Sequence, residues 1–156
     1  MNADTITVDT IENGVPVSIR TFIAVDALPL PQTFHSVIEA FWEATKCIEP
    51  AIRTRIHGRI NVVFAKAPFT LNLSNGQLVY TPNEEVINVC FEHIVFLDCE
   101  KMMKYKFPIQ VACILEELVH AFMNISDEAL VTNVVGLLYK GVTILDGKYH
   151  SPDSTE

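Results

Sequence analysis

The stretch Pro108-Ile-Gln-Val-Ala-Cys-Ile-Leu-Glu-Glu-Leu-Val-His-Ala-Phe-Met-Asn124 decides how the rest of the chain is read. Proline suits the first turn of a helix, and no breaker follows it for about four turns. At about 100° per residue, Gln110, Glu116, Glu117, His120 and Asn124 fall within roughly a third of the helix circumference. Almost everything outside that sector is Val, Ile, Leu, Ala, Phe or Met, so the helix is expected to be mostly buried with its polar groups in one stripe. Glu116 and His120, four residues apart, point the same way one turn from each other.

Toward the C-terminus, Ile125-Ser126 interrupts the helix, and Ser126 can cap a second one whose first turn carries Asp127 and Glu128, as the positive end of the dipole prefers. That helix is apolar on more than one face, with Leu130, Val131, Val134, Val135, Leu137 and Leu138. The excess calls for a covering surface: the sheet, a homodimer or a protein partner. Gly141 stops it, and residues 148–156 read as a flexible polar tail.

Toward the N-terminus, Phe96 to Lys106 reads as a short helix ending before Pro108. Val86 to Leu97 and Gln77 to Tyr80 read as strands about a Pro82-Asn83 turn, and Arg59 to Ala65 as a further strand. Phe34, Val37, Ile38, Phe41 and Trp42 recur at helical steps, predicting a core-facing helix from about Pro31 to Cys47, with Pro50 excluding further continuation. Residues 5–24 place β-branched runs on either side of Asn13-Gly14, which predicts an N-terminal β-hairpin. The expected architecture is α+β: one domain over residues 1–147, a small mixed sheet packed on helices, with the hairpin at 5–24 and the core at 31–141.

The composition narrows the function. Of 156 residues, 49% are hydrophobic and 19% charged, enough for a real core. Nineteen acidic against eleven basic residues give a net charge of −8, which argues against nucleic acid as a partner. Cys47, Cys90, Cys99 and Cys113 form no C-x-x-C pair, and no apolar run approaches the roughly 18 residues of a membrane span. A reduced cytoplasmic protein with no membrane association is expected.

Glu116-Glu117-Leu118-Val119-His120 resembles the zincin metallopeptidase motif H-E-x-x-H, with its first histidine replaced by glutamate. The resemblance implies that His120 matches the second zinc ligand, Glu117 the general base, and Glu116 the position of the first ligand. The third ligand would be Asp127 or Glu128. The run S-D-E-A-L-V-T-N-V-V is similar to the acidic start of the corresponding helix in small zincins related to phage-immunity regulatory peptidases, and the zincin order of elements covers residues 31–141. Two carboxylates on the ion would make zinc a poorer Lewis acid and favour harder cations or none. The resemblance therefore implies a zincin-like protein with impaired peptidase chemistry, weak or absent divalent metal, and a role in binding a protein or peptide or in regulation.

Two other readings fit the same residues. Glu116, Glu117 and His120 also read as the wetted stripe of a structural or interaction module, and, less readily, as an active hydrolase with a carboxylate-rich metal site. His93 reads as a core or edge histidine, with a role as extra ligand or oxyanion donor less favoured; His35 reads as a surface group, His57 as part of a polar loop, and His150 as a tail residue that matters only if the tail is ordered. Cys113 shares the stripe's sector, but lies about 10 Å along the axis from His120, too far for a nucleophile and its base. A cleft bordered by an edge strand would favour the zincin reading, and a convex surface the module.

Overall fold

The computed structural model describes residues 5–54, 58–65, 69–80 and 86–154. Arg55, His57, Pro68 and the Pro82-Asn83 turn lie outside them. Strand β1 (Thr5–Ile6) leads into helix α1 (Val8–Asn13), and a 3-10 turn at Arg20–Phe22 precedes β2 (Ile23–Ala27) and β3 (Leu30–Pro31). A second 3-10 turn opens α2 (His35–Ile52), followed by β4 (Ile60–Ala65), β5 (Phe69–Leu73), β6 (Gly76–Tyr80), β7 (Asn88–Phe91) and β8 (Ile94–Asp98). The chain ends with α3 (Cys99–Met102), α4 (Phe107–Met123), α5 (Glu128–Leu138), β9 (Thr143–Leu145) and β10 (Lys148–His150).

The fold is α+β, a mixed sheet packed against helices. Its sheet runs β2-β4-β8-β7, with the first three strands parallel and β7 antiparallel at the edge. Ile60, Val62 and Phe64 of β4 alternate into the core, as do Val95 and Leu97 of β8. Phe64 meets Phe41 of α2 edge to face, ring centroids 5.1 Å apart. Helix α2 also packs along α4, and their apolar faces (Val37, Phe41 and Ile48 on one, Val111, Leu115 and Leu118 on the other) are fully buried. Each such side chain stabilises the fold by about 1.5–3 kcal/mol.

Four expectations are corrected. The N-terminal hairpin does not form: Thr7 caps a helix by accepting a hydrogen bond from the Thr10 amide, and β1 pairs instead with β3. Gly14 is not a hairpin turn, since its φ is −81°. A Cβ there would lie 2.1 Å from the Trp42 indole, which is fixed by its Nε1 donating to the Ile11 carbonyl at 2.8 Å. Gly14→Ala should therefore cost about 2–3 kcal/mol, read as a lower urea midpoint at unchanged slope.

Pro50 does not end α2, which runs on to Ile52 because burial of Ile48 and Ile52 offsets the one hydrogen bond that proline cannot make. The stretch 86–97 is two strands, turned at Glu92, whose φ is 52°, and β8 extends to Asp98. Finally, the free tail expected at 148–156 is instead ordered over its described residues, 148–154. β10 pairs with β9 across Asp146 and Gly147, both at positive φ, and Ser151 is buried. Among the described residues no single helix is long and apolar enough to cross a membrane.

Candidate metal centre

The edge of the sheet is pinned before the site is built. Buried Asp98 caps α3 by accepting from the Lys101 amide, and Asn88 accepts from the Asp98 amide while its Nδ2 contacts the Met102 sulfur. These bonds fix β7 against β8 and α3, and β7 packs on α4. Between β7, α4 and the β9–β10 hairpin lies a cleft of about 1100 Å³.

Gln110, the first polar group of the stripe, is structural. Its Nε2 donates to the Met102 and Tyr105 carbonyls at 3.0 Å each, and its Oε1 accepts from Ser36. The remaining members, Glu116, Glu117, His120 and Asn124, line the cleft. Asn124 stops α4 in the left-handed conformation (φ 52°, ψ 44°), and the chain then turns by 112° into α5. Asp127, not Ser126, caps α5, its Oδ1 accepting from the Leu130 amide at 2.8 Å.

That turn carries Glu128 back over His120, with Oε2 3.3 Å from Nε2. Ligand atoms of Glu116, His120 and Glu128 all lie within 4.8 Å of one another. Of the two candidates for the third position, Glu128 thus joins the cluster while Asp127 is engaged in capping. The His120 side chain is 15% exposed and the Glu128 side chain 74%.

The tautomer of His120 follows from its other nitrogen. Nδ1 lies 2.6 Å from the Ile125 carbonyl, which can only accept, so Nδ1 carries hydrogen. Nε2 then faces a carboxylate at 3.3 Å, and a lone pair there would be repelled. A ring held through one nitrogen by a backbone carbonyl, with the other turned toward acids, is the arrangement of a ligating histidine. A tetrahedral ion with bonds of about 2.1 Å needs donors about 3.4 Å apart, a spacing that His120 and Glu128 already meet at 3.3 Å. The donor set fits a divalent cation.

The neighbouring acids feel one another. Burial holds the Glu116 carboxyl above its usual range, with Glu128 adding to the effect and Tyr149 and His120 opposing it. Burial, with the charges of Glu116 and Glu128, pushes Glu117 up to about 8, against a stabilising contact from the Cys90 backbone on β7. Cys113 lines the same cleft, but burial and both acids push its thiol up to about 12, so it stays protonated and is no nucleophile. His93 lies exposed in the β7–β8 turn, its carbonyl accepting from the Asn61 amide, and is not among the cleft residues.

Tyr149 on β10 is the lining residue that the tail reading missed. Its hydroxyl is buried next to Glu116 and Thr132 but lies in good hydrogen-bond geometry with neither, and burial beside Glu116 raises its pKa. The signal was present in Ile144-Leu145-Asp146-Gly147-Lys148-Tyr149, an Asp-Gly pair between two short β-prone stretches that specifies a hairpin.

No family model, no curated protein and no solved structure matches the chain.

Proposed function

We propose that this is a zincin-like, metallopeptidase-related protein that binds a divalent ion weakly through Glu116, His120 and Glu128 and acts by holding a peptide or protein rather than by cleaving it efficiently. The observation that carries the reading is the convergence of those three side chains in a cleft bordered by an antiparallel edge strand. A bound ion would supply Lewis-acid polarisation, weakened here by two anionic ligands. Glu117 is placed one helical step from Glu116, where it can reach a water in the cleft without competing as a ligand. Held near pKa 8 in the metal-free cleft, it is mostly protonated at neutral pH and accepts protons poorly there.

Incubation of zinc-loaded protein with a mixed peptide pool should give binding with slow or no turnover. Efficient cleavage that Glu117→Gln abolishes would overturn the impaired half of the proposal. The interaction-module reading retains one specific support, since 3.3 Å is also the separation of an imidazolium and a carboxylate joining α4 to α5. Zinc titration separates the two, because a module with only that ion pair has no saturable site.

A further inference from the structure

The cleft has two chemically different ends, both of which can be placed along α4. At one end, Val86, Ile87, Tyr105 and Ile109 give an apolar lining; at the other stand Glu116, Glu117 and Glu128. Ile109 precedes Glu116 by seven residues, about 10 Å of helix axis. An extended chain covers that distance in about three residues, and because its side chains alternate between faces, two that enter the same cleft lie two or four residues apart.

The wall between the ends is β7, whose outer edge pairs with no strand among the described residues. Among the described residues, its Cys90 backbone is engaged by the Glu117 carboxyl. An open edge recognises an extended backbone, and strand addition here would exchange that one contact for a peptide carbonyl. Charge selects the occupant further: with Glu117 mostly protonated, the acids left in the lining are Glu92, Glu116 and Glu128 against Lys148 and His120, so the metal-free cleft keeps an acidic excess.

Resting on the reading that this cleft accepts peptides, we infer that its far end is a specificity subsite: Val86, Ile87, Tyr105 and Ile109 receive a bulky apolar side chain two or four residues from a basic side chain that faces Glu116 and Glu128. The ligand class is an extended basic peptide with one large apolar residue at that spacing. A divalent ion in the acidic end displaces the basic side chain's contribution and leaves the apolar one in place.

The test uses labelled ten-residue peptides of Ser and Thr carrying one Lys and one Phe, separated by one to five positions in either order, with binding read by fluorescence anisotropy in chelator. Separation by two or by four should bind at least about tenfold tighter than the same peptide with Phe replaced by Ser, as expected for burial of one aromatic side chain, whereas odd separations turn one of the two side chains away from the cleft. Tyr105→Ser should remove most of that gain without lowering the melting temperature, because Tyr105 is 41% exposed. Affinity that ignores the Phe or its position, or that survives Tyr105→Ser, overturns the subsite. Zinc titration of the same protein, exchanged into chelator-free buffer, keeps the failures apart. Zinc binding without spacing-dependent peptide binding removes the subsite alone, whereas loss of both removes the proposed function with it.

Discussion

In the metal-free protein, Glu117→Gln should raise the melting temperature by roughly 4–8 °C above pH 8, corresponding to about 2 kcal/mol for a chain of this size. The sign follows from linkage. The Glu117 carboxyl has its pKa raised from 4.5 to about 8 in the folded state. Below pH 4.5 it is protonated whether folded or not and makes no difference. As pH climbs from there toward 8, the unfolded chain releases the proton while the folded one retains it, so stability declines, then levels off. Glutamine keeps the shape and an oxygen to accept from the Cys90 backbone, yet carries no charge to bury beside Glu116 and Glu128. The gap between variant and parent should therefore open across that window in a pH series of thermal melts. A constant gap, or none at pH 8.5, would show that Glu117 is not held neutral by its surroundings.

His120→Ala is expected to have the largest effect on metal binding, weakening zinc by at least about a hundredfold in calorimetric titration. Two losses combine. The ring supplies the sole nitrogen donor of the cluster, and its Nδ1 anchors the Ile125 carbonyl at 2.6 Å, at the turn that brings Glu128 into reach. His120→Gln can restore a donor to that carbonyl without restoring the imidazole, so it should recover stability more than affinity. Equal zinc affinity in the parent and both variants would place the ion elsewhere.

The motif helix was legible because its information is periodic: an apolar surround and one polar stripe fix both the helix and its buried face, and α4 spans Phe107–Met123 much as Pro108 foretold. Strand β4 was legible for the same reason at period two. What escaped was set by contacts distant in sequence. Gly14 is a glycine because Trp42, on another helix, occupies the space of its Cβ, a constraint indistinguishable locally from that of a turn. Pro50 was read by the rule for exposed helices, where nothing offsets the missing bond, although here Ile48 and Ile52 are buried on either side of it. Within the site, spacing along the helix indicated Glu116, Glu117 and His120, but the choice between Asp127 and Glu128 depended on which became the cap, one residue later than expected. Tyr149 was lost with the hairpin that delivers it.

The most direct measurement is zinc titration of the parent protein beside a triple variant, Glu116→Gln, His120→Ala and Glu128→Gln, with circular dichroism verifying that both are folded. The account predicts one saturable site per chain in the parent and none in the folded variant. No binding in the parent, or identical binding in both, would contradict it.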